Sequence, residues 1–146
     1  MTQPDQIVDS PVGWVSRHIR EYVETGGHRG HRKWGMDCLL LITRGRRTGT
    51  LRRTALFYGR DGDRYVVVAS SGGQADDPCW CLNLRADPVV GVQVGAETFA
   101  ARARIAEGGE RERLWRLMAD LWPEYERYRA RAARAGREIP VVVLER

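Results

Sequence analysis

The chain has 146 residues, 42% hydrophobic and 29% charged, a balance that suits one soluble domain with a sizeable core. Its formal net charge of +5 favours an anionic partner, whether nucleic acid, lipid surface or charged cofactor. No signal-peptide pattern opens the sequence and no apolar run approaches the roughly 20 residues of a membrane-spanning helix, so a cytoplasmic location is expected.

The basic residues are almost all arginine, with Lys33 the single lysine, and guanidinium forks match phosphate and carboxylate geometry. Cys38, Cys79 and Cys81 lack metal-ligand spacing and read as free thiols of a reducing compartment. Five Trp and five Tyr supply rings that close a core or line a site for a flat ligand.

Residues 1–10 are polar and expected to be flexible. Ser10-Pro11 then predicts a helix start, with Ser10 as cap. Val12, Val15, Ile19, Tyr22 and Val23 recur at helical steps up to Gly26-Gly27. That stripe packs on the domain or touches a membrane surface. "HRGHRK", His28 to Lys33, is a basic loop, either solvated or gripping an anion. Its two histidines have no partner ligand at suitable spacing, so no metal is expected.

Met36 to Thr43 and Arg52 to Arg60 read as strands joined through the turn "RGRRTG", and Asp61-Gly62-Asp63 as a hairpin into a strand from Arg64 to Ser70. Ser70 to Pro78 is a loop, followed by a short helix from Cys79 to Ala86 opened by Pro78. Val89–Gly95 and Thr98–Ala106 alternate as an antiparallel pair, with Phe99, Ala101, Ala103 and Ile105 sharing one face. Helix is predicted over Glu110 to Met118, Pro123 forces a bend or restart, and Trp122, Tyr125 and Tyr128 follow at three-residue steps. Gly136 ends that helix before a final strand, Ile139 to Glu145. The hairpin connections predict one domain over residues 1–146, mainly β, with a curled antiparallel sheet and flanking helices. Long crossover helices are missing, which argues against a doubly wound α/β fold.

Chemical motifs are sparse. Walker A, GxGxxG and GxSxG patterns are absent, and His18, His28 and His31 all fall in one early segment. Such an inventory suits a binding module, or an enzyme whose cofactor carries the difficult chemistry. In "RGRRTG", Arg44 to Gly49, glycine allows close backbone approach while turn N–H groups and arginine forks can share one anion. On its own the motif is weak and reads first as a solvated turn.

The stretch "LLLITRGRRTGTLRRTALFYGRDGDRYVVVASSGGQADDPCWCLNLRADPVVGVQV", followed by "LWPEYERY" and "IPVVV", resembles the deazaflavin (coenzyme F420)-dependent nitroreductase and quinone reductase family. The resemblance runs over about residues 20 to 146 and rests on the combined turn, ASxGG loop, PxWxxNLxxxP helix and WPxYxxY helix. It implies a split β-barrel like that of FMN-binding reductases, and F420 as cofactor with its phospholactyl and oligoglutamate tail. It further implies that Arg46, Arg47, Thr48 and Gly49 hold the phosphate region. Ser70, Ser71, Gly72 and Gly73, with Trp80 and Asn83, would complete the cofactor cleft, and Arg29, Arg32 and Lys33 would lie near the polyanionic tail.

Tyr125 and Tyr128 match the family's late tyrosines, expected to cover a hydride acceptor and donate a hydrogen bond or proton to its oxyanion; the alternative is that they close the core with Trp122. Two departures bear on the acceptor: Ala55-Leu56-Phe57 stands where quinone-reducing members carry Pro-Leu-Tyr, and Ser71 where some carry Lys. The implied function is an F420H2-dependent reductase of a quinone or similar activated acceptor, with nitroaromatics and enones open. A non-catalytic F420 carrier and an FMN-dependent oxidoreductase are the alternatives. The arginines flank a glycine turn rather than a recognition helix, which argues against nucleic acid. The apolar early helix and the sheet edges permit a homodimer and peripheral membrane contact.

Overall fold

In the computed structural model, which describes residues 6–146, nine strands and four α-helices build one mainly β unit. In chain order they are β1 (Ile7–Asp9), α1 (Gly13–Thr25), β2 (Arg32–Lys33), β3 (Met36–Arg44), β4 (Leu51–Phe57), β5 (Gly59–Asp61) and β6 (Arg64–Val68). A short 3-10 turn at Ser71–Gly73 leads to α2 (Cys79–Ala86), β7 (Val89–Val94), β8 (Glu97–Ile105), α3 (Gly108–Leu121), α4 (Glu124–Arg134) and β9 (Val141–Glu145).

The sheet order is β1-β4-β3-β7-β8-β9-β6-β5, with β2 hairpinned onto β3. All pairings are antiparallel except β1 on β4. Among the described residues no hydrogen-bonded pairing closes the order into a barrel. The sheet nevertheless has to curl. β4 lies one strand from one end and β5 forms the other, yet Tyr58 alone joins them. One residue spans about 3.8 Å, so the two ends are brought together by the chain itself.

The expected strand over residues 52–60 is therefore two. At Tyr58 the backbone N–H turns to donate to the Asp37 carbonyl (3.0 Å), and Gly59 begins the pairing with β6. Gly59 also lets α3 approach closely, since a Cβ there would come within 2.7 Å of Met118 Sδ.

Three apolar clusters follow from the alternation of each strand. Leu39 and Leu41 of β3, Tyr65 and Val67 of β6, and Val142 and Leu144 of β9 face the inside of the curl. The opposite faces of β6 and β9, Val66, Val68, Val141 and Val143, pack under α3 and α4 against Leu114, Met118 and Tyr125. Cys38 and Leu40, on the other face of β3, pack under Ile19 and Tyr22 of α1. Strands β3, β6 and β9 are covered on both faces, which explains why they read as near-continuous apolar runs.

The structure corrects two expectations at the N-terminal end. Ile7–Asp9 pair in parallel with Leu51–Arg53, so these residues are not a frayed tail; residues 1–5 lie outside the described ones. Helix α1 starts two residues later than Ser10-Pro11 implies. Ser10 Oγ accepts a long bond from Val12 N–H (3.4 Å), and Val12 takes the cap position with no side-chain bond. Ser10 N–H instead continues the β1 pairing by donating to the Arg53 carbonyl (2.9 Å), which delays the helix.

Candidate active site

Two cavities lie along β4. Arg52, Arg53 and Thr54 line the first, and the next three residues, Ala55, Leu56 and Phe57, line the second.

The first is a cleft of about 450 Å³ that gathers Arg46, Arg47, Thr48, Trp80 and Asn83. The "RGRRTG" turn is built by its own backbone: Gly45 N–H donates to the Thr50 carbonyl (2.7 Å) and Gly49 N–H to the Gly45 carbonyl (2.8 Å). Gly49 takes φ 74°, a region closed to most side chains. Arg44 Nη1 caps the same turn at the Gly49 carbonyl (2.8 Å).

Asn83 is buried beneath the turn. Its Oδ1 accepts from Arg46 N–H (3.2 Å) and Arg46 Nη1 (3.0 Å), while Nδ2 donates to Thr43 Oγ1 (3.2 Å). Its amide is thus committed to holding the turn and orienting Arg46. Arg53 is bound to Asp9 of β1 (2.6 Å). The side chains of Arg47 and Arg52 have no hydrogen bond or ion pair within the described residues, so their guanidinium groups are available to a ligand. The balance of the cleft is cationic.

The second cavity, about 280 Å³, is walled by rings: Trp14, Trp34, Phe57, Trp122, Tyr125 and Tyr128. Four of them contact in a chain, Trp14 to Trp34 at 5.9 Å, Trp34 to Phe57 at 6.2 Å and Phe57 to Trp122 at 5.3 Å between centroids, and Tyr125 and Tyr128 form a pair at 6.2 Å. Tyr125 is 4% exposed, and burial pushes its phenol well above the ordinary tyrosine range. It stays a neutral O–H donor at any physiological pH. Cys38 also lines this cavity, its thiol pushed up to about 12 by burial, so it is no thiolate nucleophile near neutrality. His18 Nε2 faces the Gly30 carbonyl at 2.6 Å; since a carbonyl only accepts, that nitrogen carries the proton.

Ser70 and Gly72 close one side. Ser71, Gly72 and Gly73 take successive positive φ values of 47°, 62° and 77°. Gly73 is buried against α4, where a Cβ would meet the Tyr128 carbonyl oxygen at 2.5 Å. The SSGG sequence is therefore what lets the loop lie on the tyrosine helix.

A family model described as F420H2-dependent quinone reductase matches residues 14–146. The chain belongs to the F420H2-dependent quinone reductase family. It is accordingly an oxidoreductase of the deazaflavin class, with coenzyme F420 as the family's cofactor. It is 38% identical to an F420H2-dependent quinone reductase of Mycobacterium tuberculosis, over 91% of this chain and 96% of that one. A solved F420-H2 dependent reductase (FDR-A) shares 35% identity at a TM-score of 0.67, covering 74% of this chain and 93% of its own. Another solved structure, a domain-swapped dimer, shares 33% identity at a TM-score of 0.70, covering 93% of this chain and 100% of its own.

In this F420H2-dependent family member the expected site residues divide unevenly. Arg46, Arg47, Thr48, Trp80 and Asn83 share the first cavity; Lys33, Ser70, Gly72, Tyr125 and Tyr128 share the second. Gly49, Ser71, Gly73, Arg29 and Arg32 line neither. Arg29 is exposed, and Arg32 is bound to Asp37 (3.0 Å) and the Gly35 carbonyl (2.5 Å).

Sequence reasoning missed Arg52, Arg53, Trp14 and Trp34; Phe57 was marked only as a departure bearing on the acceptor, and Trp122 only as a core ring. An indole lying off the apolar stripe of α1 was the available signal for Trp14. It also missed Arg137, whose guanidinium donates to the carbonyls of Ala69, Ser70 (2.9 Å) and Gln74 (2.9 Å) and to Asp77 Oδ1 (2.7 Å), fastening the SSGG loop. No local pattern marks that arginine.

Proposed function

We propose that the protein reduces quinones or closely related activated acceptors with F420H2, binding the cofactor's anionic portion in the first cavity and stacking ring and acceptor in the second. The observation that carries this reading is the division of β4. Six consecutive residues, Arg52 to Phe57, line first a cationic cleft and then an aromatic one, about 20 Å of strand at roughly 3.3 Å per residue. An elongated ligand with a phosphorylated tail and a flat ring matches that sequence of surfaces. The free Arg47 and Arg52, with Arg46, Thr48 and Gly49 of the turn, form the phosphate grip. Asn83 and Trp80 support it from α2.

When bound, reduced F420 supplies a hydride from C5 of its deazaflavin. The chain's own residues do the rest. Ser70 and Gly72 would form the edge against which the ring rests, with Ser71 and Gly73 shaping the loop that presents them. Trp122, Phe57 and the paired tyrosines exclude water and hold a planar acceptor face-on. Tyr125, held neutral by burial, donates a hydrogen bond to the acceptor oxygen on which charge develops. The curled sheet with its ends tied at Tyr58 supports reading the fold as a split barrel. The family relative that is a domain-swapped dimer supports a homodimer. Free Cys38, Cys79 and Cys81 suit the cytoplasm, and no helix among the described residues is long and apolar enough to cross a membrane.

The deciding experiment is Arg47→Ala. Removing one charge-assisted contact of about 1.5–3 kcal/mol should weaken F420 binding roughly 10- to 100-fold, while Tm stays within a degree or two because Arg47 is exposed. Titration of cofactor fluorescence measures the first and thermal unfolding the second. Unchanged affinity in the folded variant would remove the turn from the site.

A further inference from the structure

Lys33, expected near the cofactor tail, lines the aromatic cavity. Its Nζ sits 5.5 Å from the Trp14 ring centre and 5.1 Å from that of Trp34, while the two indoles are 5.9 Å apart. The attraction of an ammonium to the ring faces fixes the charge in place. Lys33 has no ion pair among the described residues; the nearby Asp37 is engaged by Arg32 (3.0 Å) and lies 3.8 Å from His31.

The indoles reach this position from different elements. Trp14 projects from α1 and is 54% exposed; Trp34 sits in the β2–β3 hairpin turn and is 64% exposed. Trp34 also holds φ 53°, beside Gly35 at φ 79°. Positive φ at both residues of a two-residue hairpin turn favours Asn or Gly at the first. A bulky aromatic there is strained and has little burial to offset it, and such outliers gather at ligand sites.

We propose that Lys33 is a catalytic residue of the acceptor half of the site, its ammonium held between Trp14 and Trp34 to donate a hydrogen bond to the acceptor oxygen that becomes negative. This rests on the reading that the second cavity takes the acceptor. Hydride addition brings two electrons and one proton to the quinone and leaves its oxygen anionic; the second proton comes from water and completes the hydroquinone. Lys33 keeps its own proton throughout. It supplies a compact charge where Tyr125 supplies a neutral donor. The arrangement selects flat acceptors with a carbonyl or nitro oxygen at the edge over wholly apolar rings.

The test compares wild type, Lys33→Gln and Lys33→Arg by three readouts. One is F420 affinity by cofactor fluorescence. The second is turnover of menadione at saturating F420H2. The third is tryptophan quenching by neutral menadione and by lawsone, a hydroxynaphthoquinone anionic at neutral pH, with and without oxidised F420. Lys33→Gln should lower turnover about tenfold and weaken lawsone binding about tenfold, leave F420 and menadione affinities within about twofold, and be partly rescued by arginine. A loss of F420 affinity with lawsone binding unchanged would return Lys33 to the cofactor tail and overturn the proposal. Equal effects on menadione and lawsone would overturn it as well, reducing Lys33 to packing. Quenching by lawsone without cofactor reads Lys33 directly, whereas failure of wild type to bind F420 would count against the site reading beneath it.

Discussion

Tyr125 illustrates how one side chain carries both packing and chemistry. Its ring packs against Trp115 and Tyr128, while the residue lines the aromatic cavity. Removing only the hydroxyl separates the two roles. Tyr125→Phe should keep F420 affinity within about threefold and lower the hydride-transfer rate by roughly an order of magnitude, the worth of one neutral hydrogen bond made in the transition state. Stopped-flow recovery of deazaflavin absorbance measures the rate, and an unaltered rate would leave Tyr125 to packing alone. The tyrosine was legible in the sequence through its place in "WPEYERY". Of its surroundings only Trp122, in the same motif, was legible, because Phe57 and Trp34 come from separate segments and join the cavity only after the sheet curls.

At the scale of elements, the loop from Ser70 to Gln74 is held by its own turn and also by an arginine far away in the chain. Arg137 follows α4 and is 6% exposed at its side chain, with its donors on three carbonyls and on Asp77. Arg137→Ala leaves those mostly half-buried acceptors without their donor and should destabilise the protein by about 1–3 kcal/mol. The loosening should be local first. Hydrogen exchange should show amides of residues 71–77 losing protection while those of β6 and β9 keep theirs. Unchanged protection in the loop would mean that the positive-φ turn stands without the clamp. The glycines of SSGG announced a turn in the sequence. What they could not announce was Gly73 lying against the Tyr128 backbone, a contact that no local spacing encodes.

Across the whole molecule, ionic contacts fasten the sheet's β5–β6 edge to α3. Asp61 of the hairpin receives Arg113 of α3 (2.8 Å) and Arg64 of β6 (2.5 Å), and these guanidinium groups hold its carboxyl down to about 2 from an ordinary 3.8. A carboxylate with a depressed folded-state pKa stabilises fully above its unfolded value, and that stability is lost as pH falls through the folded one. The Asp61 contribution should therefore be complete above about pH 4 to 5 and fade towards pH 2. Thermal melts between those limits should fall less steeply with acidification for Asp61→Asn than for wild type. Parallel curves would show that the hairpin and α3 are joined by packing alone.

The sequence by itself determined most of the elements. Alternating and continuous apolar runs marked the strands, Gly26 and Pro78 bounded helices, and the linked turn, loop and helix motifs pointed to the F420H2-dependent family, because each of these signals is local in the chain. The tertiary structure alone decided the break at Tyr58, the pairing of β1, the move of Lys33 into the aromatic cavity and the clamp by Arg137. These depend on which distant segments share space. That is set by the curl of the sheet and the burial of both its faces, and no window of neighbouring residues contains it.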